Sequence, residues 1–169
     1  MKKYILVICG LLLASTAMAA EQPKMIGEYG DWSAWTYNDR GNIICYIAST
    51  PKKDEGKYTK RGDIYTVVTH RPAENSFDEV SITAGYTYKS GAPLTIKIGN
   101  QTFSNTFTQA DKGWMISGDE DSKLVAAMKR GNRMIVDGIS SRGTTTKDTY
   151  SLKGFTTAYQ AISAKCKKK

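Results

Sequence analysis

The sequence is poor in the residues that most catalytic and metal sites require. It has one histidine and three cysteines among 169 residues, and no two cysteines show C-x-x-C spacing. A zinc site with three or four ligands would therefore need carboxylates to complete it. The sequence also lacks G-x-S-x-G, H-E-x-x-H, a phosphate-binding loop and a dinucleotide fingerprint. We therefore predict no metal, no cofactor and no catalytic residue.

Two weaker hints of chemistry remain. His70, in "VTHRP", stands at the end of a predicted strand, and we interpret it as an ordinary edge residue rather than a general base. A pair of carboxylates could cleave a glycoside if it converged in space. The candidates are Asp63, Glu79, Asp137 and Asp148. An unrecognised hydrolase is thus the least favoured of the functional hypotheses.

Long apolar runs are absent except at the start. Lys2 and Lys3 precede an apolar stretch over residues 4–14, and Ala17 and Ala19 provide a small-x-small cleavage site. This layout predicts a signal peptide over residues 1–20, with cleavage near Ala19 or Ala20. The run is shorter than the about 20 residues that a membrane-spanning helix needs. We expect one domain over residues 21–169, without a transmembrane segment, in the periplasm or at the outer surface.

Acidic residues are outnumbered. The chain has 24 Lys and Arg against 16 Asp and Glu, a formal net charge of +8. Most bases are scattered, which favours a solvated surface, but a candidate anion or partner patch follows the predicted mid-chain helix. Its members are Lys129, Arg130, Arg133 and Arg142. The first two suit the negative end of the helix dipole, so we interpret them as structural first.

After removal of the signal peptide, Cys45 and Cys166 remain in an oxidising compartment. We favour an internal structural disulfide over a crosslinked dimer or a redox pair, since nothing nearby marks a reactive thiol. The disulfide would close a loop of about 120 residues, which on the chain-entropy estimate adds about 4–5 kcal/mol to the free energy of unfolding.

Apolar residues alternate with polar ones along most of the chain, which predicts strands. In "VSITAGYTY" and "LTIKIG" the period of two is clear, and "KSGAP" between them predicts a hairpin. Further strands are predicted at "DWSAWTY", "IICYIAS", "DIYTVVTHR", "QTFSNTF", "GWMISG", "RMIVDGIS" and "KDTYSL". Short strands with frequent turns predict a mainly β protein, an antiparallel β-sandwich.

Two segments read as helices. "GDEDSKLVAAMKRGN" has acids at its start, bases at its end and then Gly131, which predicts a short helix with a left-handed glycine cap. A C-terminal helix is predicted after Gly154. Its apolar stripe ends in Cys166, which therefore faces the core, and consists of Phe155, Ala158, Tyr159, Ile162 and Cys166.

The stretch "SRGTTTKDTYSLKGF" is interpreted as an architectural corner. Gly143 is expected to permit a turn, and Asp148 to accept hydrogen bonds from backbone or from Arg142. Tyr150 and Leu152 should face the core with Phe155. The tryptophans and ten tyrosines could form a stacking platform for sugars or nucleic acid, but core packing explains most of them more simply. The tryptophans are Trp32, Trp35 and Trp114.

The segments "IICYI", "THRP", "DEVSITAGYTY", "LVAAMKRGNRMIVDGISSRGTTTKDTYSLKGF" and the terminal-helix cysteine together resemble the invasion-associated locus B family of bacterial exported proteins. The resemblance covers nearly all of residues 21–169. It implies a β-sandwich, export, a Cys45–Cys166 pair and a part in host-cell entry, and it carries no reaction and no catalytic residues.

The leading hypothesis is a non-enzymatic envelope or surface protein that acts by binding a partner, which is an envelope protein or the host-cell surface. No nucleic acid is expected. The alternative hypothesis is a periplasmic protein that binds an anionic ligand through the basic patch at residues 129–142.

Overall fold

The protein is described by a computed structural model over residues 21–167. The predicted signal peptide and its cleavage site lie outside these residues. The strands are β1 Lys24–Tyr29, β2 Trp32–Asp39, β3 Asn42–Ser49, β4 Lys53–Gly56, β5 Tyr65–Arg71, β6 Ser76–Thr83, β7 Thr95–Ile98, β8 Gln101–Phe103, β9 Thr106–Gln109, β10 Lys112–Met115, β11 Arg133–Ile139 and β12 Thr145–Ser151. The helices are α1 Gly118–Arg130 and α2 Phe155–Lys165.

The strands form two antiparallel sheets, so the predicted mainly β, sandwich-like fold with a mid-chain and a C-terminal helix is confirmed. The seven-stranded sheet has the order β1-β2-β3-β5-β6-β10-β9, and the five-stranded sheet has the order β4-β12-β11-β7-β8. The alternation seen in the sequence explains the pairing: inward residues such as Ile47, Val68 and Val136 are apolar and buried, and their neighbours face outward.

The core lies between the inner faces of the sheets and the two helices. Leu124 and Met128 of α1 and Ala158 and Ile162 of α2 are all buried in one apolar cluster with residues of both sheets. Helix α2 packs on β1, β2 and β3, whereas α1 packs on β6. The predicted stripe of α2 is therefore the face that the sandwich covers.

The disulfide between Cys45 of β3 and Cys166 at the end of α2 is present, with sulfurs 2.13 Å apart. Both cysteines are buried, and 121 residues separate them in sequence. The crosslink fastens α2 to the inner face of the seven-stranded sheet.

The predicted corner has its expected turns and buried side chains, although Asp148 has a different partner from the one expected. Tyr150, Leu152 and Phe155 are buried, and the ring of Phe155 meets Trp32 edge to face at 4.9 Å between centroids. Gly143 has a positive φ of 84° in the β11–β12 turn. Gly154 has φ of 88°, and a Cβ there would lie 1.8 Å from the carbonyl oxygen of Tyr29. Only glycine lets β12 turn into α2 against the β1–β2 hairpin.

Several local predictions are wrong. The predicted strand "QTFSNTF" is two strands, β8 and β9, in different sheets, and the strand predicted over "VSITAGYTY" ends at Thr83. The hairpin expected across "KSGAP" does not form, because β6 and β7 belong to different sheets and the chain between them crosses the sandwich. Within that crossing only Tyr88 makes a bridge, to Ser140. Gly131 caps α1 with φ of −87° and not in the left-handed conformation, because the chain leads directly into β11.

Candidate functional site

His70 is not an edge residue, which corrects the prediction. Its side chain is fully buried beneath α2, directly across the strand pair from Cys45. The ladder between β5 and β6 shifts here, and Asp78 adopts a positive φ of 66°. This irregularity turns both side chains inward, so that a small polar cluster forms under the helix.

The cluster contains a serine, a histidine and an aspartate, but its hydrogen bonds do not suit nucleophilic catalysis. The N–H of Asp78 donates to Nδ1 of His70 at 3.2 Å, so the proton of the neutral ring lies on Nε2. Nε2 faces the hydroxyl oxygen of Ser163 at 3.2 Å. A ring that carries its proton on this side cannot take the proton of Ser163.

The remaining contacts of the cluster fix helices onto the sheet. Tyr159 donates to one carboxylate oxygen of Asp78 at 2.5 Å, and Ser122 donates to the other at 3.3 Å. Burial and the bond to Asp78 raise the pKa of Tyr159 above its ordinary value. Asp121 accepts from the N–H of Val80 at 3.0 Å, and burial raises the pKa of its carboxyl to about 7. We interpret the cluster as a structural anchor for α1 and α2.

The four carboxylates considered for glycoside cleavage do not converge. Glu79 pairs with Arg71 on the seven-stranded sheet, and Asp137 pairs with Lys97 on the five-stranded sheet. Asp148 is buried against Arg61, whereas Asp63 is exposed. Among residues 21–167, no group of three or more His, Cys, Asp or Glu side chains is arranged to hold a metal ion.

Asp148 has a different partner from the one expected. The guanidinium of Arg61 makes two parallel hydrogen bonds to its carboxylate, of 2.7 and 2.5 Å, so Arg142 is not the donor. The Nε of Arg61 also donates to the carbonyl of Ala84 at 2.7 Å. Burial opposes the charge of Arg61, but Asp148 outweighs it and raises the pKa of the guanidinium. Sequence reasoning missed Arg61 because it stands in a polar loop that reads as solvated.

The predicted anion patch at residues 129–142 is divided. The ammonium of Lys129 lies over the ring of Tyr159, 3.6 Å from its centroid. Arg130 and Arg133 line a surface depression together with Lys97, which we call the helix-end wedge. Arg142 follows β11, whose length of about 20 Å separates it from Arg133.

Arg142 instead lines a second depression, the basic cleft, of about 650 Å³. Its walls are the β4–β5 loop, the segment after β6 and the β11–β12 turn. The basic residues of its lining are Lys57, Lys60, Arg61 and Arg142. The lysines, like Arg61, were not predicted as site residues; the run "KYTKRGD" of polar residues between two strands is the signal that marks them.

The outer face of the seven-stranded sheet, the side away from the core, is rich in aromatic rings. Trp35 lies beside Tyr46 with ring planes 9° apart, and Tyr37 meets Tyr46 edge to face. Farther along the sheet Trp114 stacks on Phe107, which is 49% exposed. The expectation that core packing explains most of the tryptophans and tyrosines is wrong, because among residues 21–167 only Trp32, Tyr88, Tyr150 and Tyr159 are buried.

The strand register places the two aromatic groups on one continuous surface. Tyr46 is paired with Thr69, and Trp114 is paired with Ser81, so β5 and β6 fill the gap between the groups. Three strand spacings separate Tyr46 from Trp114, about 14 Å. Met25, 48% exposed, extends the surface at the β1 edge, where it pairs with Trp35.

No helix between residues 21 and 167 is long and apolar enough to span a membrane. The fold and the buried crosslink define a disulfide-linked antiparallel β-sandwich that carries two helices. The chain belongs to the "Invasion associated locus B (IalB) protein" family, whose sequence model matches residues 32–163.

Among solved structures, the chain is similar to the crystal structure of invasion associated protein B from Bartonella henselae. The TM-score is 0.59 at 15% sequence identity, over 83% of this chain and 96% of the other. At this identity the similarity shows the shared fold. A comparison with curated proteins finds no match.

Proposed function

We propose that this protein is an exported, non-catalytic binding protein of the bacterial envelope or cell surface, and that the outer face receives a protein partner. The observation that carries the proposal is the pair of aromatic groups, around Tyr46 and around Trp114, on the solvent side of one sheet. Neither group belongs to the core, so packing of the core does not account for these rings.

The composition of the outer face suits a protein interface. Tryptophan, tyrosine, phenylalanine and methionine are the residues enriched at the centres of such interfaces, and they contribute most of the binding energy. Small polar side chains such as Thr69 and Ser81 lie between the rings. One charged pair also lies on this face, because Glu79 is paired with Thr69 across β5 and β6, and the side chain of Arg71 neutralises it.

The dimensions agree as well. Five strand spacings separate Trp35 on β2 from Phe107 on β9, about 24 Å. A typical specific complex covers about 800 Å² on each partner, which corresponds to a patch of about 28 Å on a side. One partner can therefore contact both aromatic groups.

Export is supported by three observations. The first residues have the layout of a signal peptide, the chain has a structural disulfide, and it belongs to the IalB family. The buried polar side chains of the cluster around His70 and Asp78 hydrogen-bond to one another and to the backbone, which supports the non-catalytic part of the proposal. A contribution to host-cell invasion belongs to the same proposal, since the family description names that association.

The test uses a photo-crosslinking amino acid in place of Tyr46, in full-length protein expressed in its own bacterium. We expect one saturable adduct with a protein of the envelope or of the host surface. The same amino acid in place of Lys147, exposed on the five-stranded sheet, is the matched control and should give none. Cell fractionation should place the protein outside the cytoplasm.

The interface is then tested by Trp114→Ala, which should abolish the adduct at position 46 while the melting temperature stays within a few degrees. Equal adducts at positions 46 and 147, an adduct that survives Trp114→Ala, or a cytoplasmic protein would each contradict the proposal.

A further inference from the structure

We infer that the basic cleft binds an acidic saccharide, a sugar chain that carries sulfate or phosphate esters. The cleft is separate from the outer face, so the inference goes beyond the proposed protein interface and does not depend on it.

Charge is the first argument. No carboxylate lines the cleft, and none of the ion pairs among residues 21–167 includes Lys57, Lys60 or Arg142. These three bases and Arg61 line one depression, so three unpaired positive charges lie close together there. Arg61 is neutralised from behind by Asp148. Asp54 accepts from the hydroxyl of Tyr58 at 2.5 Å, and Asp63 and Asp111 line an adjacent depression.

The framework of the cleft is built before any ligand arrives. The N–H of Gly62 donates to the carbonyl of Gly85 at 2.8 Å, and the N–H of Ser141 donates to Thr87 at 2.8 Å. A Cβ on Gly85 would lie 2.4 Å from the oxygen of Gly62, so the walls meet as closely as two backbones can. Arg61 fastens the same loop to both sheets through Ala84 and Asp148. A rigid site loses little entropy on binding.

The chemistry of the lining selects a sugar over a simple anion. Hydroxyl groups of Thr59, Thr87 and Ser141 stand among the bases, and the rings of Tyr58 and Tyr86 form part of the wall. Hydroxyl donors and acceptors match the hydroxyls of a saccharide, whereas the lysines and the arginine match sulfate or phosphate oxygens. A volume of about 650 Å³ is within the range of small-ligand sites.

The helix-end wedge is the competing site, and its geometry is less suitable. It lies at the C-terminus of α1, whose last carbonyl groups repel anions. One of its three bases, Lys97, is already paired with Asp137 at 2.7 Å.

The test compares two double variants that each remove two positive charges. Lys60→Gln/Arg142→Gln alters the basic cleft, and Arg130→Gln/Arg133→Gln alters the wedge. Calorimetry at physiological salt would use a heparin-derived hexasaccharide, with an unsulfated hexasaccharide of the same backbone and a phosphorylated oligosaccharide as the other ligands. We expect the cleft variant to weaken binding of the sulfated or phosphorylated sugar at least about tenfold, a change of about 1.4 kcal/mol. The wedge variant should stay within about threefold, and the unsulfated sugar should not bind.

Equal losses in both variants would mean diffuse charge attraction and would overturn the inference. Binding of vesicles containing anionic phospholipid without binding of any acidic hexasaccharide would assign the cleft to lipid and would also overturn it. Trp114→Ala should leave the sugar affinity unchanged, so failure of this inference and failure of the protein interface are distinguishable.

Discussion

Arg61 and Asp148 lie 87 residues apart in sequence and meet in a bidentate ion pair whose side chains are only 3% and 2% exposed. Asp148 belongs to β12 of the five-stranded sheet, and the same guanidinium donates to Ala84 at the end of β6 in the seven-stranded sheet. The rings of Tyr86 and Tyr58 flank Arg61 at 5.0 and 5.4 Å. One side chain therefore joins both layers of the sandwich and the loop that forms the basic cleft.

Removing one member of this pair should be costly. Asp148→Asn leaves the Arg61 charge buried without its counter-ion, and we expect a loss of about 3–5 kcal/mol in the free energy of unfolding. Urea denaturation measures this change. Lys97→Met, which breaks the exposed pair with Asp137, is the matched control and should cost about 0–1 kcal/mol. Similar losses in the two variants would show that the buried pair has no special role.

Two glycines with the same backbone conformation should respond differently to alanine. Gly143→Ala meets no atom within 4 Å, so only its positive φ is unfavourable and the cost should be about 1–2 kcal/mol. Gly154→Ala adds a clash with the backbone of Tyr29, and the cost should rise to roughly 2–5 kcal/mol. Thermal unfolding of both variants tests this order, and equal shifts in melting temperature would contradict it.

Tyr150 should tolerate the loss of its hydroxyl. Its oxygen is buried and has no hydrogen-bond partner among the described residues. Tyr150→Phe removes an unsatisfied polar group, so stability should be retained or increase by about 1 kcal/mol. Tyr159→Phe, which deletes the bond to Asp78, should instead cost about 1.5–3 kcal/mol. A clear destabilisation by Tyr150→Phe would mean that the hydroxyl has a partner.

Asp121 should make stability depend on pH. Burial raises the pKa of its carboxyl in the folded protein to about 7, above the unfolded value near 4. The folded state therefore binds this proton more tightly, and the contribution of Asp121 to stability is greatest below about pH 4 and falls as pH rises to about 7. The slope approaches about 1.4 kcal/mol per pH unit.

The variant Asp121→Asn isolates this effect, since its amide oxygen can still accept from Val80. The unfolding free energy of the variant minus that of the natural protein should increase between pH 4 and 7. A difference that stays constant with pH would refute the assignment to Asp121.

The disulfide should stabilise chiefly through the length of the loop that it closes. Because the cysteines are 121 residues apart in sequence, Cys45→Ser/Cys166→Ser should lower the free energy of unfolding by about 4–5 kcal/mol. Mass spectrometry after alkylation of the natural protein should find no free thiol at either position. Two alkylated cysteines in native protein would contradict the crosslink.

Much of the fold could be predicted because local patterns carry it. Alternation in β2, β3, β5, β7, β11 and β12 marked those strands, and charges at both ends marked α1. The turn residues before Leu94 indicated that the chain changes direction there. They did not indicate which sheet β7 joins, because no local pattern distinguishes the two sheets. Strand β1 lies at an edge and lacks alternation, so it gave no signal.

The candidate sites were less predictable because they depend on long-range placement. Arg61 meets Asp148 across 87 residues, and no spacing in the sequence anticipates that pair. Arg130 and Arg142 are close in sequence, yet a strand carries them to different ends of the sheet. Trp35 and Trp114 could have been assigned to the solvent face only with the register of both strands in hand.

The contacts of the β1–β2 hairpin with the end of the chain affect the order in which the protein can fold during synthesis. The indole N–H of Trp32 donates to the carbonyl of Ser151, and the backbone N–H of Asp31 donates to the carbonyl of Lys153. The partners of these early residues are synthesised about 120 residues later. At a synthesis rate of about 5–20 residues per second, that delay lasts roughly 6–24 s. During it the inner face of β2 and β3 has neither β12 nor α2 to cover it. The apolar residues of this face therefore have no cover from β12 and α2 during that time, and the sandwich can be completed only after the last elements of the chain have been made.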